Sequence, residues 1–142
     1  MYILDTDHIS LLEHVSYSPE AQRLRFRLSG LKPEERITTI ITFEEQVRGW
    51  MAYLAQARSL TNQVEAYRRL KGVLDRYLKL TVLEFDEAAA AEFERLQRSR
   101  LRIGAMDLKI AAIALSRGAT ALTRNLKDFS RVPSLRVEDW AA

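Results

Sequence analysis

Short apolar runs rich in β-branched residues alternate with helical segments along the whole chain, and no other feature constrains its fold as strongly. The pattern predicts strands at residues 2–4, 37–41, 81–83, 119–123 and 135–137. Strands that alternate with helices are typical of an α/β fold, in which a mostly parallel central sheet carries helices on both faces. We therefore predict a three-layer α/β/α sandwich.

Capping signals mark the predicted helices between these strands. Thr6 or Asp7 can cap the first helix, while Pro19 opens the second and Gly30 closes it. Thr42 is the predicted cap of the third helix, directly after the second strand. The first helix is expected to continue through Val15, and others are expected over residues 60–78, over 86–101 and up to Gly118.

Composition narrows the functional classes. With 142 residues, 47% hydrophobic and 29% charged, the chain has the size and mixture of one globular domain spanning residues 1–142. It has no cysteine, which excludes disulfides and thiolate metal sites, and its two histidines, His8 and His14, cannot form a three-histidine zinc site. No segment has the apolar length of a membrane span or the form of a signal peptide, so we expect a cytoplasmic protein with no membrane partner.

Acidic and amide side chains follow three of the predicted strands at their carboxyl ends. Asp5 and Asp7 follow the first strand, Glu44 and Glu45 the second, and Asn125 and Asp128 the fourth, while Asp107 lies near the start of the helix before the fourth strand. That edge of a parallel sheet is where α/β proteins bind ligands. Clustered carboxylates without basic partners repel each other, and a divalent cation with oxygen ligands, Mg²⁺ or Mn²⁺, relieves the repulsion. The placement predicts a metal site, and two such ions would suit in-line phosphoryl displacement.

Each of these acids also has a structural explanation. Asp5 and Asp7 can cap a helix. Glu44, Glu45 and Asp107 lie in predicted first turns, where the helix dipole favours acidic residues. The shared placement at strand ends favours a site more than any single residue does.

The remaining polar and aromatic candidates are open in the same way. Asp128 is compatible with a simple turn. His8 is either a packed or surface helix residue or a proton-transfer group beside the first strand, and His14 is expected at the surface. Trp50 and Trp140 are expected in the core or in an interface before they are expected to stack on bases.

Four motifs, in order, resemble those of the PIN domain family, and within it the VapC-type toxins of bacterial toxin–antitoxin pairs. They lie at residues 2–7, 39–49, 103–112 and 121–129, and the tail at 132–140 also resembles the end of such chains. The family's second motif places a glutamate four residues before a glycine, which selects Glu45, four before Gly49, rather than Glu44. The resemblance covers essentially the whole chain.

The resemblance implies a Mg²⁺- or Mn²⁺-dependent endoribonuclease. In that scheme Asp5, Glu45 and Asp107 hold the metal ion, which activates water for attack on the scissile phosphate, and Asn125 and Asp128 complete the catalytic site. The metal ion also offsets the charge that builds on the phosphate oxygens.

Two departures from the family pattern bear on this site. Asp7 stands where the family usually has asparagine, which adds an acid at the edge of the site. Asn125 stands where many members have a fourth aspartate, which removes a charge and leaves a second metal ion open. Asp128 can compensate for that loss, and the Thr123 hydroxyl can contribute a further oxygen.

The resemblance also implies partners: an RNA substrate, a cognate antitoxin protein and a second copy of the chain in a homodimer. The third and fourth helices would project as a pair, with Trp50, Tyr53 and Leu54 in an antitoxin groove. The net charge of +3 is compatible with RNA. The arginines considered for an RNA backbone are Arg23, Arg25, Arg27, Arg48, Arg68, Arg69, Arg95, Arg98, Arg100, Arg102 and Arg124. A solvated helical surface with pairs such as Glu94 with Arg98 is the alternative.

Two other functions compete with this interpretation. The run Asp5-Thr6-Asp7 after an apolar strand also resembles the first motif of haloacid-dehalogenase-type phosphatases, although the late acidic motif of that family is absent after the fourth strand. A non-catalytic module that kept the fold and binds RNA or protein is the other alternative, which Asn125 leaves open. A P-loop nucleotide enzyme is excluded, because the sequence has no glycine-rich phosphate motif.

Overall fold

The computed structural model describes residues 1–13 and 18–142, and its elements follow the predicted alternation of strands and helices. The strands are β1 (Tyr2–Leu4), β2 (Ile37–Thr39), β3 (Thr81–Leu83), β4 (Thr120–Leu122) and β5 (Arg136–Glu138). The helices are α1 (Thr6–Glu13), α2 (Pro19–Leu28), α3 (Ile40–Gln56), α4 (Leu60–Tyr77), α5 (Glu87–Arg98), α6 (Ala105–Ser116) and α7 (Leu126–Phe129), with a 3₁₀ turn at Pro33–Glu35. The expectations for His14 and Val15 fall outside the described residues.

Within the described residues, the strands form one sheet in the order β3-β2-β1-β4-β5. The central strand β1 places Ile3 opposite Ile37 on one side and opposite Ala121 on the other. Every strand pair is parallel, so all the carboxyl ends of the strands meet at the same edge. The predicted α/β fold is confirmed, and the sheet is wholly parallel rather than mostly so.

Neighbouring residues of one strand point to opposite faces of the sheet, and this alternation builds two cores. Ile3 and Ala121 pack with residues of α5 and α6 on one face. Leu4 and Leu122, the next residue of each strand, pack with residues of α2 and α4 on the other. Each fully buried Ile or Leu side chain contributes about 1.5–3 kcal/mol. Helices therefore cover both faces, as the three-layer sandwich requires.

The second strand is shorter than predicted and ends at Thr39, because that residue caps α3. The Thr39 hydroxyl accepts a hydrogen bond from the backbone N–H of Thr42 at 3.1 Å. Ile40 is therefore already helical despite its β-branched side chain, and the prediction of a cap at Thr42 was wrong by about one helical turn. Glu44 and Glu45 consequently lie in the second turn of α3, where the dipole explanation for acidic residues no longer applies.

The first helix begins directly after β1. α1 starts at Thr6, and the carbonyl of Asp5 accepts a helical hydrogen bond from the N–H of Ile9 at 3.0 Å. Asp5 therefore occupies the cap position, as the sequence allowed for this residue. The prediction that Thr6 or Asp7 caps the helix was wrong, because the chain leaves no spacer between strand and helix.

Other helix ends follow from backbone conformation. α5 ends at Arg98, before the predicted residue 101, and Arg100 has a φ of 53°, in the left-handed region that interrupts a helix. Gly118, with a φ of 61°, follows α6 as predicted. In the described residues, no helix has both the length and the apolar character needed to cross a membrane.

Candidate active site

Asp5 lies at the carboxyl end of the central strand, and only 4% of its surface is exposed. Its Oδ1 accepts a hydrogen bond from the Thr6 N–H at 2.6 Å, and its Oδ2 accepts one from the Thr123 hydroxyl at 2.9 Å. Burial, followed by the negative charge of Asp7, raises the pKa of Asp5 from 3.8 to about 7 although both hydrogen bonds oppose the rise. A bound cation would reverse that penalty on the charged form.

Glu45 and Asp107 reach the same edge from two helices, α3 and α6. Burial raises the pKa of both carboxyl groups. The charge of Asp107 is the second cause for Glu45, and the charges of Asp128 and Asp7 follow burial as causes for Asp107. Carboxylates that are far apart in sequence therefore share one electrostatic field at the strand ends, where the motif spacing placed them.

Asn125 and Asp128 line this edge from the segment after β4 and from α7. Asn125 Nδ2 donates a hydrogen bond to Asp128 Oδ2 at 3.0 Å and lies 3.5 Å from Asp107 Oδ2. The second oxygen of Asp128 accepts a hydrogen bond from Arg131 Nη1 at 3.1 Å. Asn125 is thus a neutral donor between two acids, and its hydrogen bond partly offsets the rise in the pKa of Asp107.

Asp7, the added acid, is held by protein donors. Its Oδ2 accepts a hydrogen bond from the Arg124 N–H at 2.9 Å and lies 3.1 Å from the hydroxyl oxygen of Thr123, whose single proton is directed to Asp5 at the shorter distance of 2.9 Å. Its Oδ1 lies 2.8 Å from Nδ1 of His8, which is fully buried and also contacts the backbone of Trp140. His8 therefore packs in the interior, and Asp7 connects α1 to the loop after β4.

The donor set fits a hard divalent cation. Asp5, Glu45 and Asp107 offer only oxygen atoms, and Glu45 Oε1 is buried without a hydrogen-bond partner. Within the described residues, no three acidic or histidine side chains stand close enough together to hold a metal ion by themselves. A cation at this edge would therefore need water or phosphate oxygens as further ligands.

A cavity of about 380 Å³ opens beside Glu45. Its lining includes Gly49, Trp50 and Tyr53 of α3, and the two aromatic rings meet edge to face with centroids 5.7 Å apart. A Cβ atom added at Gly49 would meet no atom within 4 Å, so the glycine faces open space. A ligand bound in this cavity would therefore lie directly beside Glu45, a candidate metal ligand.

A partly buried network that includes two lining residues of this cavity, Glu13 and Gln46, was not predicted. Tyr77 donates a hydrogen bond from its hydroxyl to Gln46 Oε1 at 2.7 Å, and Gln46 Nε2 donates to Glu13 Oε1. Arg76 also pairs with Glu13, at 3.0 Å. The network ties α1, α3 and α4 together next to Glu45, and the only sequence signal for it was a glutamine four residues after Thr42 on the inner face of α3.

Many of the arginines considered for RNA binding form exposed ion pairs. The pairs are Arg23 with Glu20, Arg27 with Glu138, Arg48 with Glu44, Arg68 and Arg69 with Glu65, and Arg95 with Glu92. The pair on α5 is therefore Glu92 with Arg95, where the sequence predicted Glu94 with Arg98. Exposed pairs contribute only about 0–1 kcal/mol each. Arg124 is exposed directly after Thr123, next to the acidic edge.

Sequence comparison relates the chain to one family. A sequence model of the PIN domain matches residues 2–135. The chain is 31% identical over 143 residues to a protein of Salmonella typhimurium named tRNA(fMet)-specific endonuclease VapC, covering 98% of this chain and 97% of that protein. It is 30% identical over 145 residues to Ribonuclease VapC1 of Haemophilus influenzae, covering 99% of this chain and 98% of the relative.

Solved structures share the fold over the same length. VapBC-1 from nontypeable Haemophilus influenzae matches with a TM-score of 0.76 and 25% identity, covering 99% of this chain and 98% of that chain. DNA-bound VapBC from Salmonella typhimurium matches with a TM-score of 0.74 and 29% identity, covering 98% of this chain and 97% of that chain. Both likenesses therefore cover nearly the whole chain.

Proposed function

The chain belongs to the PIN domain family, with VapC proteins as its curated relatives, and from that premise we propose that it is a metal-dependent endoribonuclease acting as the toxin of a toxin–antitoxin pair. The proposed cofactor is Mg²⁺, with Mn²⁺ as a substitute, and the proposed reaction is cleavage of RNA phosphodiester bonds. The haloacid-dehalogenase alternative depended on the first motif alone, whereas the PIN domain match covers residues 2–135, so we no longer consider that alternative.

The observation that carries the proposal is the group of three carboxylates at the strand ends, of which Asp5 is buried and Glu45 and Asp107 are half-buried. Burial and neighbouring acids raise the pKa of Asp5, Glu45 and Asp107 together. Such mutual repulsion lowers the stability of the metal-free fold, and clustered carboxyl groups with raised pKa values are typical of functional sites. The unpartnered Glu45 Oε1 supports the same conclusion, because a buried carboxylate oxygen without a donor costs free energy until a ligand satisfies it.

The proposed mechanism assigns separate tasks to the residues of this edge. Asp5, Glu45 and Asp107 would hold the cation, which supplies a lowered pKa for water and charge compensation for phosphate oxygens. Thr123 orients the Asp5 carboxylate through its hydroxyl. The Asn125 amide lies between Asp128 and Asp107 as a donor to both, which offsets part of the repulsion between the two acids.

We propose that an antitoxin and a second copy of the chain cover apolar surface on the projecting α3–α4 pair. The similar solved structures carry VapBC in their names, which supports an antitoxin partner. On α3, Tyr53 is exposed, whereas Trp50 and Leu54 are half-buried. The exposed apolar residues of α4 are Leu60, Val64, Tyr67 and Leu74. Exposed apolar surface of this kind marks protein interfaces.

A non-catalytic binding module is the second candidate, and the geometry of Asn125 favours it. Its amide nitrogen faces Asp128 and Asp107, so this position contributes a donor where a metal site would use an acceptor. A binding module would bind RNA or protein in EDTA as well as in Mg²⁺, and it would tolerate loss of the Asp5 charge.

The deciding experiment compares wild type, Asp5→Asn and Asp75→Asn on purified RNA in Mg²⁺, Mn²⁺ or EDTA. Initiator tRNA is one substrate, because the Salmonella relative is named for it. We expect cleavage by wild type and by the Asp75 control, whose carboxylate is exposed on α4, and none by Asp5→Asn or in EDTA. Cleavage that persists in Asp5→Asn or in EDTA would contradict the metal mechanism. RNA binding without cleavage under all conditions would favour the binding module.

A further inference from the structure

His8 is a fully buried histidine of α1 that makes two polar contacts on opposite sides of its ring. Its side chain has no exposed surface. On one side, the backbone N–H of Trp140 donates a hydrogen bond to Nε2 at 3.2 Å. On the other, Nδ1 lies 2.8 Å from Asp7 Oδ1. The ring therefore bridges the C-terminal segment and the edge of the candidate active site, which are 132 residues apart.

The backbone contact determines which ring nitrogen of the neutral imidazole carries the proton. An amide N–H can donate only to a nitrogen that keeps its lone pair, so Nε2 is the acceptor and the proton lies on Nδ1. Nδ1–H then donates to Asp7 Oδ1. Asp139 Oδ1 lies 3.6 Å from Nε2, beyond a normal hydrogen bond, and accepts one from the Ala141 N–H at 2.8 Å.

The contacts continue from Asp7 into the site. Its other oxygen accepts a hydrogen bond from the Arg124 N–H and lies 3.1 Å from the Thr123 hydroxyl oxygen. The Thr123 hydroxyl oxygen also lies 2.9 Å from Asp5 Oδ2, and that hydroxyl is fully buried. A continuous line of polar contacts thus runs from the C-terminal segment through His8, Asp7 and Thr123 to Asp5.

We propose that His8 is a positioning residue: it holds Asp7, and through Asp7 the loop at 123–124, in the arrangement that orients Asp5. The part of this proposal that concerns metal binding rests on the proposed function, because it takes Asp5 as a ligand. Groups that orient metal ligands through hydrogen bonds typically change metal affinity by about 10–100-fold when they are lost.

Two substitutions of His8 each remove one of the two polar contacts of its ring and keep the other. In His8→Gln, the longer amide places its oxygen near the position of Nε2, which keeps an acceptor for the Trp140 N–H and removes the donor to Asp7. In His8→Asn, the shorter amide places its nitrogen near the position of Nδ1, which keeps the donor to Asp7 and leaves the Trp140 N–H without its acceptor. Trp140→Phe is the control for lost packing, because it keeps the backbone N–H.

The test measures hydrogen exchange at the Arg124 amide in the metal-free protein, Mn²⁺ affinity by calorimetry, and the melting temperature. We expect His8→Gln to melt near wild type, to exchange faster at Arg124 and to bind Mn²⁺ about 10-fold more weakly. His8→Asn and Trp140→Phe should melt lower while keeping wild-type exchange at Arg124 and wild-type Mn²⁺ affinity.

Different results overturn different statements. Wild-type exchange at Arg124 and wild-type Mn²⁺ affinity in His8→Gln would overturn the positioning role. Failure of the wild-type protein to bind Mn²⁺ would instead contradict the proposed function, and the Arg124 amide would still test the link through Asp7. Nitrogen NMR of wild-type His8 requires no variant: a protonated Nδ1 is expected, and a proton on Nε2 in the neutral ring would overturn the proposal.

Discussion

Replacing Asp5 with asparagine should stabilise the metal-free protein, although it removes a proposed metal ligand. Burial and the charge of Asp7 raise the pKa of Asp5 from 3.8 to about 7. At about 1.4 kcal/mol for each pKa unit, ionised Asp5 lowers the free energy of unfolding by about 4 kcal/mol when the pH is above both values. The amide of Asp5→Asn carries no charge and can still accept from the Thr6 N–H, while its new donor faces the Thr123 hydroxyl.

The sign of the pH dependence follows from the direction of the shift. Because the folded pKa is raised, the folded state binds more protons than the unfolded state between pH 3.8 and about 7, so the stability of wild type falls with rising pH in that window. We expect the advantage of Asp5→Asn over wild type to grow by about 2.5 kcal/mol between about pH 5 and about pH 8. Hydrogen bonds that the amide of Asp5→Asn makes less well than the carboxylate would lower the stability of the variant by about 1 kcal/mol.

Urea unfolding in EDTA at the two pH values measures this difference. Asp75→Asn is the matched control, because its carboxylate is exposed and pairs with Lys71 on the surface of α4. Its stability should stay within about 0.5 kcal/mol of wild type at both pH values. An advantage of Asp5→Asn that does not change with pH would refute the argument that burial and neighbouring acids disfavour the charged form of Asp5.

Three further predictions test other parts of the site. Asn125→Asp should lower the melting temperature in EDTA, because it replaces the hydrogen-bond donor to Asp128 with an acid beside Asp128 and Asp107. It should also increase the stabilisation of the protein by Mg²⁺. Calorimetric melts in EDTA and in Mg²⁺ check both expectations. Gly49→Ala should raise the free energy of unfolding by about 0.5–1 kcal/mol and should slow RNA cleavage, because the added methyl group narrows the cavity. The control Gly72→Ala, on α4, should stabilise the protein without slowing cleavage. Equal cleavage rates for the two variants would contradict a substrate role for the cavity. Thr39→Ala should cost about 1 kcal/mol through loss of the α3 cap, measured by urea unfolding, and an unchanged midpoint would show that the cap does not fix the start of α3.

Local sequence patterns determined the architecture of this protein. Two consecutive apolar residues, such as Ile3 and Leu4, point to opposite faces of a sheet and so predict a strand that is buried on both sides. That pattern depends only on neighbouring residues. Asp5 and Asp107 were predicted at the sheet edge for the same reason, since Asp5 directly follows β1 and Asp107 lies in the first turn of α6, and the pattern sets the direction of both elements. The end of α6 was also predicted from a local signal, because Gly118 readily adopts the left-handed conformation that follows a helix.

Only the tertiary structure decided where these elements begin and what their polar residues contact. Residues 37–41 look like one strand, but β2 pairs with its neighbour β3 only as far as Thr39, opposite Leu83. The helix begins directly afterwards, which changes the turn on which Glu45 lies. The role of His8 depends on Trp140, and no local pattern relates two residues so far apart. The raised pKa of Asp5 likewise requires burial and acids from other segments. Local propensity acts over a few residues, whereas burial and electrostatic coupling depend on distances that exist only after the chain has folded.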